Sequence, residues 1–249
     1  MGAGLVQNPL YHCVLGLLCG FVGFRLGWRT GQRIALPTVQ GLLGFLAFAA
    51  SWRAGGPFFG TLAVGGWAVG TSLISIPVFK SERQRIDEIV VRARAYRESM
   101  LAWLRSGRGP EAEPLATARA HLWELGLYLL AAVISANLLS LVLGAVLLNY
   151  MNAYVAALLL AARDRWRVRL LAWNSWILVR VAAYVLLGSA CAAPLAGYLG
   201  HPAPGWQVRW LLAVGGMGVA LDLVLKLLLS RSCGRLLAGA LDLGPRQSE

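Results

Sequence analysis

Between residues 11 and 229 the chain is a series of long apolar runs separated by short segments in which arginine is concentrated. A helix needs roughly 20 apolar residues to cross a hydrocarbon core of about 30 Å. In lipid, only helices and closed barrels satisfy all their own backbone groups. Of the 249 residues, 58% are hydrophobic and 14% charged, against about 25% charged in ordinary soluble domains. A soluble monomer of this size cannot hide so much apolar surface. A soluble enzyme, a secreted disulfide scaffold and a disordered tail are thereby excluded. The chain reads as all-α, a polytopic transmembrane helix bundle.

The runs set the expected organisation. Residues 1–79 hold three spans, at 11–24, 34–52 and 58–79. The second span carries Pro37 in its first turn, where a missing N–H costs little. Arg25, Arg29 and Arg33 are expected in the connection after the first span. Residues 80–120 form a basic cytoplasmic helix and linker, and 121–230 hold four more spans. The 42 residues from 121 to 162 contain one acid, Glu124, and no base. As one helix they would be about 63 Å long, twice the core thickness, so two spans with a short turn fit better. Gly144 or the cluster from Asn149 to Asn152 is the expected turn. A sixth span covers 170–195, a seventh 208–229, and a cytoplasmic tail runs over 231–249.

Charge fixes the expected orientation. The net charge is +12, carried by arginine and only two lysines, Lys80 and Lys226. Because these bases sit in connections, they read as cytoplasmic loops beside anionic lipid headgroups rather than as a nucleic-acid surface. With seven spans and the N-terminus outside, 19 of the 23 bases fall on the cytoplasmic side. Only Arg53 and Arg209 then lie outside, while Arg180 and Lys226 lie within spans. The arginine-for-lysine bias fits a high-GC bacterial coding sequence, hence an inner-membrane location. The N-terminus lacks the basic region and cleavage pattern of a signal peptide and reads as a retained span.

Chemistry-bearing motifs are absent. His12, His121 and His201 are expected at membrane interfaces, far apart in topology. Cys13, Cys19, Cys191 and Cys233 form no CxxC pair and imply no metal. No metalloprotease, hydrolase or phosphate-loop motif occurs, so no enzymatic activity, cofactor or metal is expected. Charges inside spans are the sharper signal. Arg180 and Asp222 lie roughly 10–15 Å deep in consecutive spans, and Lys226 sits one turn from Asp222. A lone central charge costs on the order of 2.5–3.5 kcal/mol, so Arg180 and Asp222 are expected to pair. The three residues form either a clamp between spans or a site for an ion or small solute. Asn137, Asn149 and Asn152 are the remaining polar candidates for a transport path.

The cytoplasmic segment carries a different feature. Ser81 and Gln84 resemble a capping box, and Ile86, Ile89, Ala93, Tyr96, Met100 and Trp103 then recur at spacings of three and four. One continuous helix over 81–105 would present them as a narrow seam, with Asp87, Glu88 and Glu98 breaking the basic face. Such a seam is expected to contact another membrane subunit or a second copy of the chain. Gly16-xxx-Gly20, Gly23-xxx-Gly27 and Gly66-xxx-Gly70 allow close helix approach, inside the bundle or to a partner. Finally, Leu62-Ala-Val-Gly-Gly66 is echoed by Leu212-Ala-Val-Gly-Gly216, as three-plus-one-plus-three parallel repeats would produce. The expectation is a non-enzymatic subunit of a membrane assembly. The alternative is a small transport module built on Arg180, Asp222 and Lys226.

Overall fold

The computed structural model describes residues 6–107 and 113–241, with the side chains of 114–117 left out. These residues are helical with no strand. The helices are α1 (Pro9–Thr30), α2 (Ala35–Gly55), α3 (Pro57–Ser81), α4 (Arg83–Ile89), α5 (Ala93–Ser106), α6 (Pro114–Ser135), α7 (Leu138–Leu160), α8 (Arg165–Leu171), α9 (Ser175–Cys191), α10 (Ala193–Tyr198) and α11 (Gly205–Gly239). Among the described residues, six stretches are long and apolar enough to cross a membrane: α1, α2, α3, α7, the combined Arg165–Tyr198 segment, and α11. The chain is a multi-pass membrane protein. Helix α6 is not among the six, and its first half carries Arg119, His121 and Glu124.

The first three helices pack together, and their glycines explain how closely. A Cβ on Gly16 would lie 1.9 Å from the Ala63 carbonyl oxygen, and one on Gly66 would lie 2.1 Å from that of Cys13. Gly20 and Gly70 meet Trp67 and Leu17 in the same way, while Gly23 and Gly27 face the α2 backbone at Gln40 and Leu36. All three small-residue motifs are therefore occupied within this chain. Backbones in such contact gain dispersion and Cα–H···O interactions that lipid does not supply. Arg25 and Arg29 lie on α1 rather than in a connection, which is shortened to residues 31–34 and opened by Gly31 at φ 68°.

Helix α7 packs on α2 and α3, α6 lies against α7 and α9, and α9 pairs with α11. In a three-plus-one-plus-three repeat, α7 would belong with α9 and α11. Instead it joins the first three helices. The echoed glycines also differ in use. In α3 it is Gly66 that meets a neighbour, whereas in α11 it is Gly215, against Leu187, and Gly216 meets nothing. Neither the packing of α7 nor the use of the echoed glycines follows the three-plus-one-plus-three pattern.

Several boundaries move. The turn within 121–162 lies at Ala136 and Asn137, both left-handed at φ 49° and 81°, not at Gly144 or 149–152. Asn tolerates this conformation, and the Ser140 side chain hydrogen-bonds the Asn137 carbonyl oxygen at 2.8 Å. The preceding helix starts at Pro114, so the fourth long helix begins before residue 121. The sixth run is broken into α8, α9 and α10. The last helix continues to Gly239, so Arg231 and Arg235 are helical rather than in a tail. Arg246 lies outside the described residues.

The segment after α3 is two helices rather than one. Ser81 ends α3 and caps nothing downstream. The chain breaks at residues 90–92, where Arg92 is left-handed at φ 62°. Arg33 donates to the carbonyl oxygens of Glu88 at 2.6 Å and Asp87 at 2.9 Å, satisfying the end of α4. Arg97 grips Asp87 through two bonds of 3.1 and 2.9 Å and folds α5 back. The bend lays the seam on the bundle. Ile86, Ile89 and Ala93 join Phe24, Trp28, Leu36 and Phe79 in one core cluster. Met100 and Trp103 join Tyr154, Leu158, Val168 and Leu237 in another, and Tyr96 packs against both clusters. A seam expected to meet a second polypeptide is thus covered by this chain's own helices. Burying each large side chain is worth about 1.5–3 kcal/mol, and the bend lets one molecule recover that alone.

Candidate functional site

Four ionisable residues of the apolar runs, His121, Arg180, Asp222 and Lys226, lie where α6, α9 and α11 meet. Arg180, on the second turn of α9, and Asp222, midway along α11, form a two-point ion pair. Nε donates to Oδ2 at 2.9 Å and Nη2 to Oδ1 at 3.0 Å. The side chains retain 20% and 10% exposure. Paired planar groups of this kind are the strong form of the interaction. The pairing follows from local sequence. Gly215 and Gly218 seat α11 against Leu187 and Ala183 of α9, and that contact holds the two helices at the spacing the pair needs.

A third helix contributes. His121 Nε2 lies 3.3 Å from Arg180 Nη1, and the Tyr184 hydroxyl donates to the His121 carbonyl oxygen at 3.4 Å. A guanidinium only donates, so Nε2 accepts and the proton of a neutral His121 resides on Nδ1. Lys226 is one turn along α11 from Asp222 and is buried at 1% exposure, rather than reaching toward headgroups. Tyr184 also meets the Tyr128 ring of α6 at a tilt, ring centres 5.1 Å apart. Four ionisable side chains from three helices therefore share one locus, with tyrosines on its flank.

The structure separates the other candidates from this locus. Gln40 and Asn149 exchange amide bonds of 3.3 and 2.6 Å between α2 and α7. Asn152 donates to Ser75 at 2.8 Å and to Ser72 at 3.3 Å, and Asn137 occupies the α6–α7 turn. These are bonds that lock α7 onto its neighbours. At the far end, His12 is buried between Ser51 and the Val6 carbonyl oxygen, at 2.9 Å from each. Near it a cleft of about 380 Å³ is lined by Phe58, Phe59, Trp206, Trp210 and two glutamines, the aromatic character usual at a membrane interface. The seam residues Ile86, Ile89, Ala93, Tyr96, Met100 and Trp103 serve the interior.

Sequence reasoning missed His121. The apolar run starts at this residue, which points to an interface, but α6 begins two turns earlier and carries His121 inward. The usable signal was Pro114, a residue favoured in the first turn of a helix.

Compared with protein-family models, with curated proteins and with solved structures, the chain matches none.

Proposed function

We propose that this multi-pass membrane protein is a small, non-enzymatic inner-membrane transport module that passes an ion through the site formed by Arg180, Asp222, Lys226 and His121. The observation that carries the reading is the gathering of these side chains from α6, α9 and α11. Ionisable groups inside spans are costly and mark ion pathways when they cluster. The close seating of α9 on α11 favours a small ion over a bulky solute.

Counting α6 as a span gives seven. It has 22 residues, about 33 Å of helix, and it packs beside α7 and α9. An odd count sets the bases of residues 25–33, 80–107, 163–169 and 231–235 at one end, which the positive-inside rule assigns to the cytoplasm. The N-terminus is then outside. The seam gives no support to an assembly-subunit reading, because this chain's own helices cover it.

The test is ion flux from vesicles loaded with purified protein, using an internal pH dye and an internal chloride dye under separate proton and chloride gradients. Flux above protein-free vesicles in either arm supports the reading, and none in both overturns it.

A further inference from the structure

We propose that α8 is a docking site for the headgroup of an acidic phospholipid, held by Arg165 and Arg169. Helix α8 has seven residues and turns its Val168 side, fully buried, onto Leu237, Ala240 and Leu241 of the α11 end. The opposite side presents Trp166 at 67% exposure and Leu170 at 61%, one turn apart. Trp166 and Leu170 thus form an apolar apex away from the bundle, with arginines on its flanks. That is the arrangement of a helix lying in the membrane interface, its apolar apex among acyl chains and its cations at headgroup level.

The arginines are not equivalent. Arg167 is held by Asp164, whose carboxylate also accepts the Arg167 backbone N–H at 3.1 Å and so caps the helix. Arg165 and Arg169 have no hydrogen-bond or ion-pair partner among the described residues. They stand four apart on one side of α8, a spacing from which both guanidinium groups can reach one anion. Like charges at that spacing oppose helix formation, and an anion between them reverses the sign. Two guanidinium forks match a phosphodiester's oxygens. The exposed Trp166 and Leu170 beside them select a phosphate that carries acyl chains over a free one.

The backbone holds the site rigidly. Residues 162 and 241 form an isolated bridge, and the N–H groups of Arg163 and Asp164 donate to the Ala240 carbonyl oxygen at 3.0 and 3.2 Å. A lipid on α8 is therefore fastened to the ends of both α7 and α11. This inference is independent of ion transport and needs only that the helices span a bilayer.

The test is native mass spectrometry of the full chain in detergent with phosphatidylglycerol or phosphatidylcholine added. The unaltered protein should retain phosphatidylglycerol selectively. Arg165→Gln with Arg169→Gln should weaken that retention by about tenfold or more, while Arg83→Gln with Arg105→Gln, an equal loss of exposed charge elsewhere, should not. Equal retention in both variants, or equal loss in both, overturns the site. Displacement by millimolar inorganic phosphate would show a phosphate site and overturn the lipid assignment. On the unaltered protein, brominated-chain phosphatidylglycerol should quench an emission component that Trp166→Phe removes. Absence of that quenching also counts against the proposal, whatever the double variant's folding.

Discussion

Arg180 and Asp222, 42 positions apart in the chain, meet side-on through two bonds of 2.9 and 3.0 Å. The pair joins α9 to α11, whose outer face is otherwise exposed along much of its length. Removing one partner leaves the other buried without its counter-charge, whereas removing both does not. Asp222→Asn should therefore destabilise the protein by about 3–5 kcal/mol. Arg180→Gln combined with Asp222→Asn should recover most of that loss, as measured by thermal unfolding in detergent. A double variant no more stable than the single would show that the pair is not what holds the helices.

The glycine echo makes a paired prediction. Gly66→Ala drives a Cβ into the Cys13 carbonyl oxygen and should cost about 1–3 kcal/mol by overpacking. Gly216→Ala meets open space and should be neutral or stabilising by up to about 1 kcal/mol through helix propensity. Unfolding temperatures of the two variants moving together would contradict the packing assigned to α1 and α3.

Ile89→Glu with Met100→Glu tests the cover on the bundle end. Both side chains are at 2% exposure, so the carboxylates would be buried in apolar surroundings. The variant should lose folded yield and unfold at lower temperature. A variant that stayed fully stable but shed a co-purifying protein would restore the partner reading of this seam.

Glu82 supplies a pH dependence outside the spans. The Trp28 indole N–H bond at 3.0 Å and then the Arg85 guanidinium hold its carboxyl below the usual carboxylate range. A folded-state pKa below the unfolded one stabilises above the unfolded value, and the gain disappears as pH falls through the folded value. Glu82→Gln should thus lower the unfolding temperature slightly at neutral pH and not at all in acid. A difference that grew on acidification would reverse the assigned sign. The effect is small because the group is partly solvent-screened.

Orientation is checked with single cysteines in a chain whose four native cysteines are replaced by serine. Tyr198→Cys, at a position 88% exposed, should react with an impermeant maleimide added to whole cells. Ser106→Cys should react only after permeabilisation. The opposite pattern inverts the proposed topology.

Most of the helix content was legible because hydropathy is a direct imprint of the bilayer on sequence. Arg180 and Asp222 stood out for the same reason, as charges in runs that exclude charge. What was not legible depended on backbone geometry. The break at Arg92 has no glycine or proline to announce it, and it is held by Arg33 and Asp87, contacts between segments distant in sequence. The seam's three–four rhythm fits a bent pair of helices covering their own bundle as well as a straight helix meeting a partner. The α6–α7 turn hid behind Ala136, which has no turn preference, and only Asn137 marked it. His121 was lost because an apolar run and a helix do not start at the same residue.

The central claim is that the cluster around Arg180 and Asp222 passes an ion rather than merely fastening helices. The most direct test is ion flux through Arg180→Gln/Asp222→Asn protein in vesicles, under the proton and chloride gradients used for the unaltered chain, once equal unfolding temperatures show that both are folded. The account predicts a stable double variant with flux reduced to that of protein-free vesicles. A stable double variant with undiminished flux would contradict it and leave the pair as a structural clamp.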